Sequence, residues 1–139
     1  MAKSRTLGTN MATFAAEVRS HFDEDIATLR VTAGSESTNT RRFTLQVIDR
    51  VKREWADRFC VEVWLQATAG GDPSATGNTV AWVAPIPYVT FLPNGHWRVI
   101  TDANGQAQFD VTIAGAATRY VGWCLGSQVR VSEAFTWGA

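Results

Sequence analysis

Long apolar runs are missing from this chain. No stretch reaches the roughly 18–20 residues that a membrane-crossing helix needs. The N-terminal MAKSRTLGTNMATFAAEVRS also lacks the uninterrupted apolar core of a secretory signal. The expectation is a chain made in a cytoplasm, with no membrane partner. Cysteine is scarce. Cys60 and Cys124 are too few for a disulfide framework and have no CxxC spacing. They read as small, reduced, mostly buried side chains, a single bridge being the alternative. Net charge is absent as well. Thirteen basic residues cancel thirteen acidic ones, so the whole chain is not drawn to nucleic acid or anionic lipid. Of the basic residues, only Arg98, Arg119 and Arg130 come after Phe59. Catalytic motifs are missing too. His21 and His96 lie far apart, and neither has an i, i+4 partner or a nearby Cys for zinc. No GxSxG elbow supports a nucleophile. The reading is therefore no enzyme, no cofactor and no metal.

What is present suits one domain with an appendage, since 139 residues of which 45% are hydrophobic can build a single core. Residues 1–9 show no periodicity and read as an arm. Beyond them Met11, Ala15, Val18, Phe22, Ile26 and Leu29 recur at steps of three and four, with Glu17, Arg19, Asp23, Glu24 and Asp25 between them. That period belongs to a straight amphipathic helix rather than a coiled-coil seam. Thr9 and Asn10 both suit its N-cap, and Gly34 its stop. Such a stripe needs a cover, either the following domain or other copies of the chain. Met11, Phe14, Val18, Phe22, Ile26 and Leu29 are accordingly interface candidates.

Residues 34–40 (GSESTNT) read as a polar hinge, after which the period falls to two. Phe43, Leu45 and Val47 alternate with polar residues, and so do Val61, Val63 and Leu65, as half-buried strands require. Residues 49–57 (DRVKREWAD) form a charged connection, and residues 69–78 (AGGDPSATGN) an exposed loop. Further strands are expected over residues 80–84, 88–92, 97–101, 107–113, 119–125 and 129–137, with Gly126 and Ser127 turning a two-residue hairpin. About seven or eight short strands between turns predict a mainly β chain, an antiparallel sandwich of immunoglobulin-like type. The arm, helix and hinge occupy residues 1–40 and the sandwich residues 41–139.

The stretch ITDANGQAQFDVTI most resembles a site. A calcium loop needs oxygen ligands at its first, third and fifth positions, Gly at the sixth and Glu at the twelfth. Counting from Asp102, the third is Asn104, but the fifth is Gln106, the sixth Ala107 and the twelfth Ile113. A type I turn closed by a left-handed Gly fits better. Leu92-Pro93-Asn94-Gly95 repeats the pattern, so the two turns together predict a meander. The six tryptophans carry more information. By parity Trp97 and Trp123 belong to the core, whereas Trp64 shares a face with Glu62 and Gln66, and Trp55 sits among charges. Trp55 and Trp64 are candidates for anchoring a protein interface or stacking on a sugar, the protein interface being preferred. The basic stretches at residues 41–42 and 50–53 raise nucleic acid as a partner, but Asp49, Glu54 and Asp57 dilute the second, and a solvated loop or protein contact is the preferred reading.

VTAGSESTNTRRFTLQVID, RFCVEVWLQATAGG and RVITDANGQAQFDVTIAGAATRYVGWCLGSQVRVSEAFTW together resemble a class of tailed-bacteriophage virion structural proteins. In these a short N-terminal segment precedes an immunoglobulin-like sandwich. The resemblance implies a capsid decoration or head-fibre protein, or a tail or fibre component, resident in the virion after assembly in the host cytoplasm. Its partners would be other copies of itself and other virion proteins, with a host-surface glycan as a further ligand and no specific nucleic acid. The charged connection DRVKREWAD departs from the usual module, which carries a Gly-bearing turn there. A carbohydrate- or cell-surface-binding module is the alternative that the tryptophans raise.

Overall fold

A computed structural model describes residues 27–138. They form β1 (Thr28–Ala33), β2 (Thr40–Ile48), β3 (Cys60–Gln66), β4 (Thr79–Trp82), β5 (Tyr88–Leu92), β6 (His96–Ile100), β7 (Gln106–Thr112), β8 (Ala117–Leu125), β9 (Gln128–Val131) and β10 (Phe135–Trp137). Among the described residues there is no helix. The strands make two antiparallel sheets. The smaller has the order β1-β2-β7-β4, and the larger the order β10-β8-β3-β6-β5 with β9 also on β8. The chain is thus mainly β, a two-sheet sandwich.

The alternation read from the sequence places the core. Phe43, Leu45 and Val47 of β2 and Ala107, Phe109 and Val111 of β7 point inward from the smaller sheet. They meet Val61, Val63, Leu65, Trp97, Val99, Val121 and Trp123 from the larger. The Phe43 and Phe109 rings stack at 5.2 Å, and Phe135 stands edge-on to Phe43 at 4.9 Å. Such pairs add about 0.5–1.5 kcal/mol beyond the area they bury. Phe135 and Trp137 are buried, so the C-terminal residues close the core as their spacing predicts.

Several expectations are corrected. The 3.6-residue spacing places Leu29 on the apolar stripe of a helix, but it lies in β1, opposite Val47, and is buried. The TLRVTA segment satisfies both templates at this residue. Thr28, Val31 and Thr32 are β-branched, and Leu29, Val31 and Ala33 alternate, which favours a strand. The rest of the expected helix, including Met11, Phe14, Val18, Phe22 and Ile26, lies outside the described residues. The β fold thereby begins well before residue 41. The expected hinge over residues 34–40 is instead the turn at residues 34–39 that joins β1 to β2, with Thr40 opening β2. Ser37 and Thr40 exchange backbone hydrogen bonds of 2.9 Å around Thr38 and Asn39, both at positive φ. Positive φ at both central residues is the signature of the tight hairpin turn whose twist matches paired strands.

The 102–105 turn forms as expected. Gly105 N–H donates to the Asp102 carbonyl, Asn104 and Gln106 N–H donate to its carboxylate, and Gly105 has φ 75°. A Cβ on Gly105 would also collide with the Trp55 carbonyl. The expected meander does not form. β6 pairs with β3 and β5, but β7 pairs with β2 and β4, so this turn carries the chain from one sheet to the other. The 92–95 turn also differs in detail, since Asn94 rather than Gly95 takes the positive φ, at 62°. The expected last strand is two strands, β9 and β10, which follow one another along the same edge of β8. The Gly126 hairpin joins β8 to β9 with Leu125 opposite Gln128.

Candidate functional site

The two sheets present different outer faces. On the smaller, β2 and β7 set polar residues directly opposite one another, and each pair is hydrogen-bonded. Thr40 meets Thr112 at 2.7 Å, and the Arg42 guanidinium grips both Asp110 oxygens at 2.7 and 2.9 Å. Gln108 donates to Thr44 at 3.0 Å, and Gln106 to Gln46 at 2.7 Å. The hydrogen bond from Arg42 holds the Asp110 carboxyl below its ordinary range. Gln46 also donates to the carbonyls of Val47 and Asn104, and is buried under the 102–105 turn. This ladder satisfies itself and leaves little for a ligand.

The larger sheet is the reverse. With Val61, Val63, Trp97, Val99, Val121 and Trp123 inward, the opposite parity turns out. Val89 and Phe91 of β5, Ile100 of β6, and Val129 and Val131 of β9 are 59, 49, 41, 61 and 40% exposed. The cross-strand register puts them on one face, with Val89 opposite Arg98, Ile100 opposite Cys60, and Val129 opposite Cys124. Tyr88, on the same edge strand, is 51% exposed. Exposed apolar side chains thus flank this face at both its edges, and such clusters on a protein surface mark interaction sites.

A polar and aromatic cluster sits in the middle. Trp64 lies across Gly122 of the neighbouring strand, where an added Cβ would collide with the indole. The absence of a side chain at Gly122 is what lets the ring lie down. His96 stands edge-on to Trp64 at 5.6 Å and close to Phe91 at 5.0 Å. Its Nε2 contacts the Glu62 carboxylate at 3.0 Å, and Arg98 reaches the same carboxylate at 3.7 Å while stacking over Phe91 at 5.3 Å. The Arg98 side chain remains 54% exposed. Cys60 is exposed and Cys124 half-buried, both free and both on this face, which corrects the expectation of mostly buried cysteines. Glu62, not Cys60, is opposite Cys124. The two thiols are therefore diagonal neighbours, about 7–8 Å apart by backbone spacing, beyond the reach of an unstrained disulfide.

Of the residues singled out by sequence, Trp64 belongs to this surface. Trp55 does not. It packs edge-on against Phe59 at 5.3 Å at the margin of the core, and its backbone N–H donates to the Val47 carbonyl. The charged connection around it is held by Asp49, which accepts from the N–H groups of Val51 and Arg53 and from the Arg53 side chain. The backbone bond from Arg53 leads in holding the Asp49 carboxyl below its ordinary range. Leu29 is core, as described above. Sequence reading missed Val89, Phe91, Ile100, Val129 and Val131. The available signal was the failure of YVTFL to alternate and the two valines of QVRV, which have no polar strand neighbour on their own side. Among the described residues no group of three or more His, Cys, Asp or Glu side chains is placed to hold a metal ion.

No protein-family model matches the chain, and no curated protein matches it. Among solved structures it is similar to a conjugative transposon lipoprotein from Bacteroides eggerthii, at 15% identity over 81% of this chain and 97% of that one, with a TM-score of 0.48. It is also similar to a cohesin module from a Clostridium perfringens family 33 glycoside hydrolase, at 8% identity over 80 and 91% of the two chains, TM-score 0.40. The GAE domain of yeast GGA1 aligns at 13% identity over 83 and 92%, TM-score 0.29.

Proposed function

We propose that this chain is a non-enzymatic assembly protein, an immunoglobulin-like sandwich that docks on another protein through the outer face of its larger sheet. The observation that carries the reading is the gathering of Val89, Phe91, Ile100, Val129 and Val131 on that face, while the outer face of the smaller sheet is tied up in its own polar ladder. The occupant that fits is an apolar protein surface bearing a carboxylate. Arg98 shares Glu62 with His96 and keeps free donors at the centre of the patch, so an incoming acid completes its pairing. The setting implied by the sequence resemblance is a phage virion, as capsid decoration or head fibre, with the segment before Ala27 contributing to anchoring and self-association. A tail or fibre position is the variant of the same reading.

Co-sedimentation tests it. Full-length protein, wild type and Val89→Asp/Ile100→Asp, is mixed with phage particles grown on the host that carries this sequence and spun through a density gradient. The wild type is expected to travel with the particles and the double variant to stay at the top with an unchanged melting temperature. Particle binding that survives both substitutions would overturn the face as the contact. A wild type that stays at the top, yet binds a glycan array through Trp64, would move the function to a cell-surface-binding module.

A further inference from the structure

We infer that the free edge of β5 is a self-pairing edge, on which β5 of a second copy adds across a two-fold axis and joins the two larger sheets into one. The inference rests on the assembly reading above and supplies the contact for its self-association.

β5 is the last strand of its sheet, and four of its five residues are exposed. Ile100 N–H donates to the Pro87 carbonyl, so residues 87 and 89 turn their backbone groups toward β6. Alternation then turns the N–H and C=O of Tyr88 and Thr90 outward, and among the described residues no backbone partner meets them there. Edge strands are ordinarily blunted by a charge, a strong bulge or a cover. YVTFL carries no charged residue, and its bulge falls only after Thr90, so the stretch 88–90 is left regular.

The second copy fits this stretch without any further device. A two-fold axis through Val89 sets Tyr88 against Thr90 of the copy and Thr90 against its Tyr88, which joins the outward donors and acceptors in two reciprocal pairs. Val89 then faces its own counterpart at a non-hydrogen-bonded position, where antiparallel backbones come closest. Nothing on the strand repels a copy of itself, because neither contributes a charge. Prolines at 87 and 93 confine the pairing to a short segment and prevent a growing ribbon. The outer faces on the two sides of the axis become continuous, with Val89 and Phe91 at the seam, so the dimer doubles the docking surface.

The test uses the full-length chain with Cys60→Ser and Cys124→Ser, alone in solution, so its outcome is independent of particle binding. Val89→Cys in that background is expected to cross-link into a covalent dimer under mild oxidation, because opposed Cα atoms at such a position lie within disulfide range. Val129→Cys, at the far edge of the same face, is expected not to. Sedimentation velocity is expected to show a dimer for the parent and a monomer for Val89→Lys and for Thr90→Pro. The second of these removes an outward N–H that β6 does not use, and near-ultraviolet circular dichroism checks that both variants fold. A parent that stays monomeric at all concentrations, a dimer that survives both substitutions, or equal cross-linking at 129 would each overturn the proposal.

Discussion

The two outer faces of the sandwich are made by the same device, a strand of period two with its alternate side chains turned to water, yet their chemistry is opposite. Between β2 and β7 the outward residues are Thr, Arg, Gln and Asp, and each finds its partner across the ladder. Across β5, β6, β3, β8 and β9 they are mostly Val, Phe, Ile, Trp and Cys, around a small polar cluster of Glu62, His96 and Arg98. Both faces are compatible with folding, because the core between them is built from the other parity. The difference lies in what they leave unsatisfied. The polar face has used its hydrogen-bonding capacity internally, and the apolar face keeps Val89, Phe91, Ile100, Val129 and Val131 largely in water, so it still gains free energy by leaving it.

If this contrast is right, substitutions on the two faces will separate stability from binding. The largest effect is expected at Gly122→Val. The new side chain occupies the place of the Trp64 ring and lifts it, at a cost of about 1–3 kcal/mol in urea unfolding, with loss of docking as well. Next comes Gln46→Ala, which removes a buried amide and strands the half-buried Gln106 amide and the carbonyls that Gln46 serves. A loss of about 1–2 kcal/mol follows, with docking intact. Ile100→Ser and Val129→Ser are expected to stay within about 0.5 kcal/mol of wild type in the same measurement, as exposed positions do, while particle binding falls.

The smallest effect is one of pH. Arg42 holds the Asp110 carboxyl below its unfolded value, so its contribution is complete above the ordinary carboxylate range. It fades as the pH falls through the folded value. Melting temperatures of the wild type and Asp110→Asn should therefore converge as the solution is acidified from neutrality. A gap that widens in acid would contradict this sign.

Much of the core was legible because β2, β3 and β7 alternate strictly, and a period of two admits one buried face. Trp64 could be assigned to the outward face for the same reason. β1 was not legible, because Leu29 falls on the 3.6-residue stripe that precedes it as well as on the alternation that follows, and only pairing with Val47 decides. The turn at Thr38 and Asn39 escaped notice since a β-branched residue seldom takes positive φ. The switch of sheets at the 102–105 turn is invisible locally: the same four residues close a hairpin or a crossing, and the partner strands settle which. The apolar face was hidden for a related reason. Val89, Ile100 and Val129 look like core residues until the register of three separate strand pairs turns them to the same side.

The most direct test of the central claim is carbene footprinting of the full-length protein, free and after assembly with its particles, read residue by residue. The expected result is protection of Val89, Phe91, Ile100, Val129 and Val131, with Thr44, Gln108 and Asp110 labelled equally in both states. Protection concentrated on the β2–β7 ladder, with the five apolar residues unchanged, would contradict it.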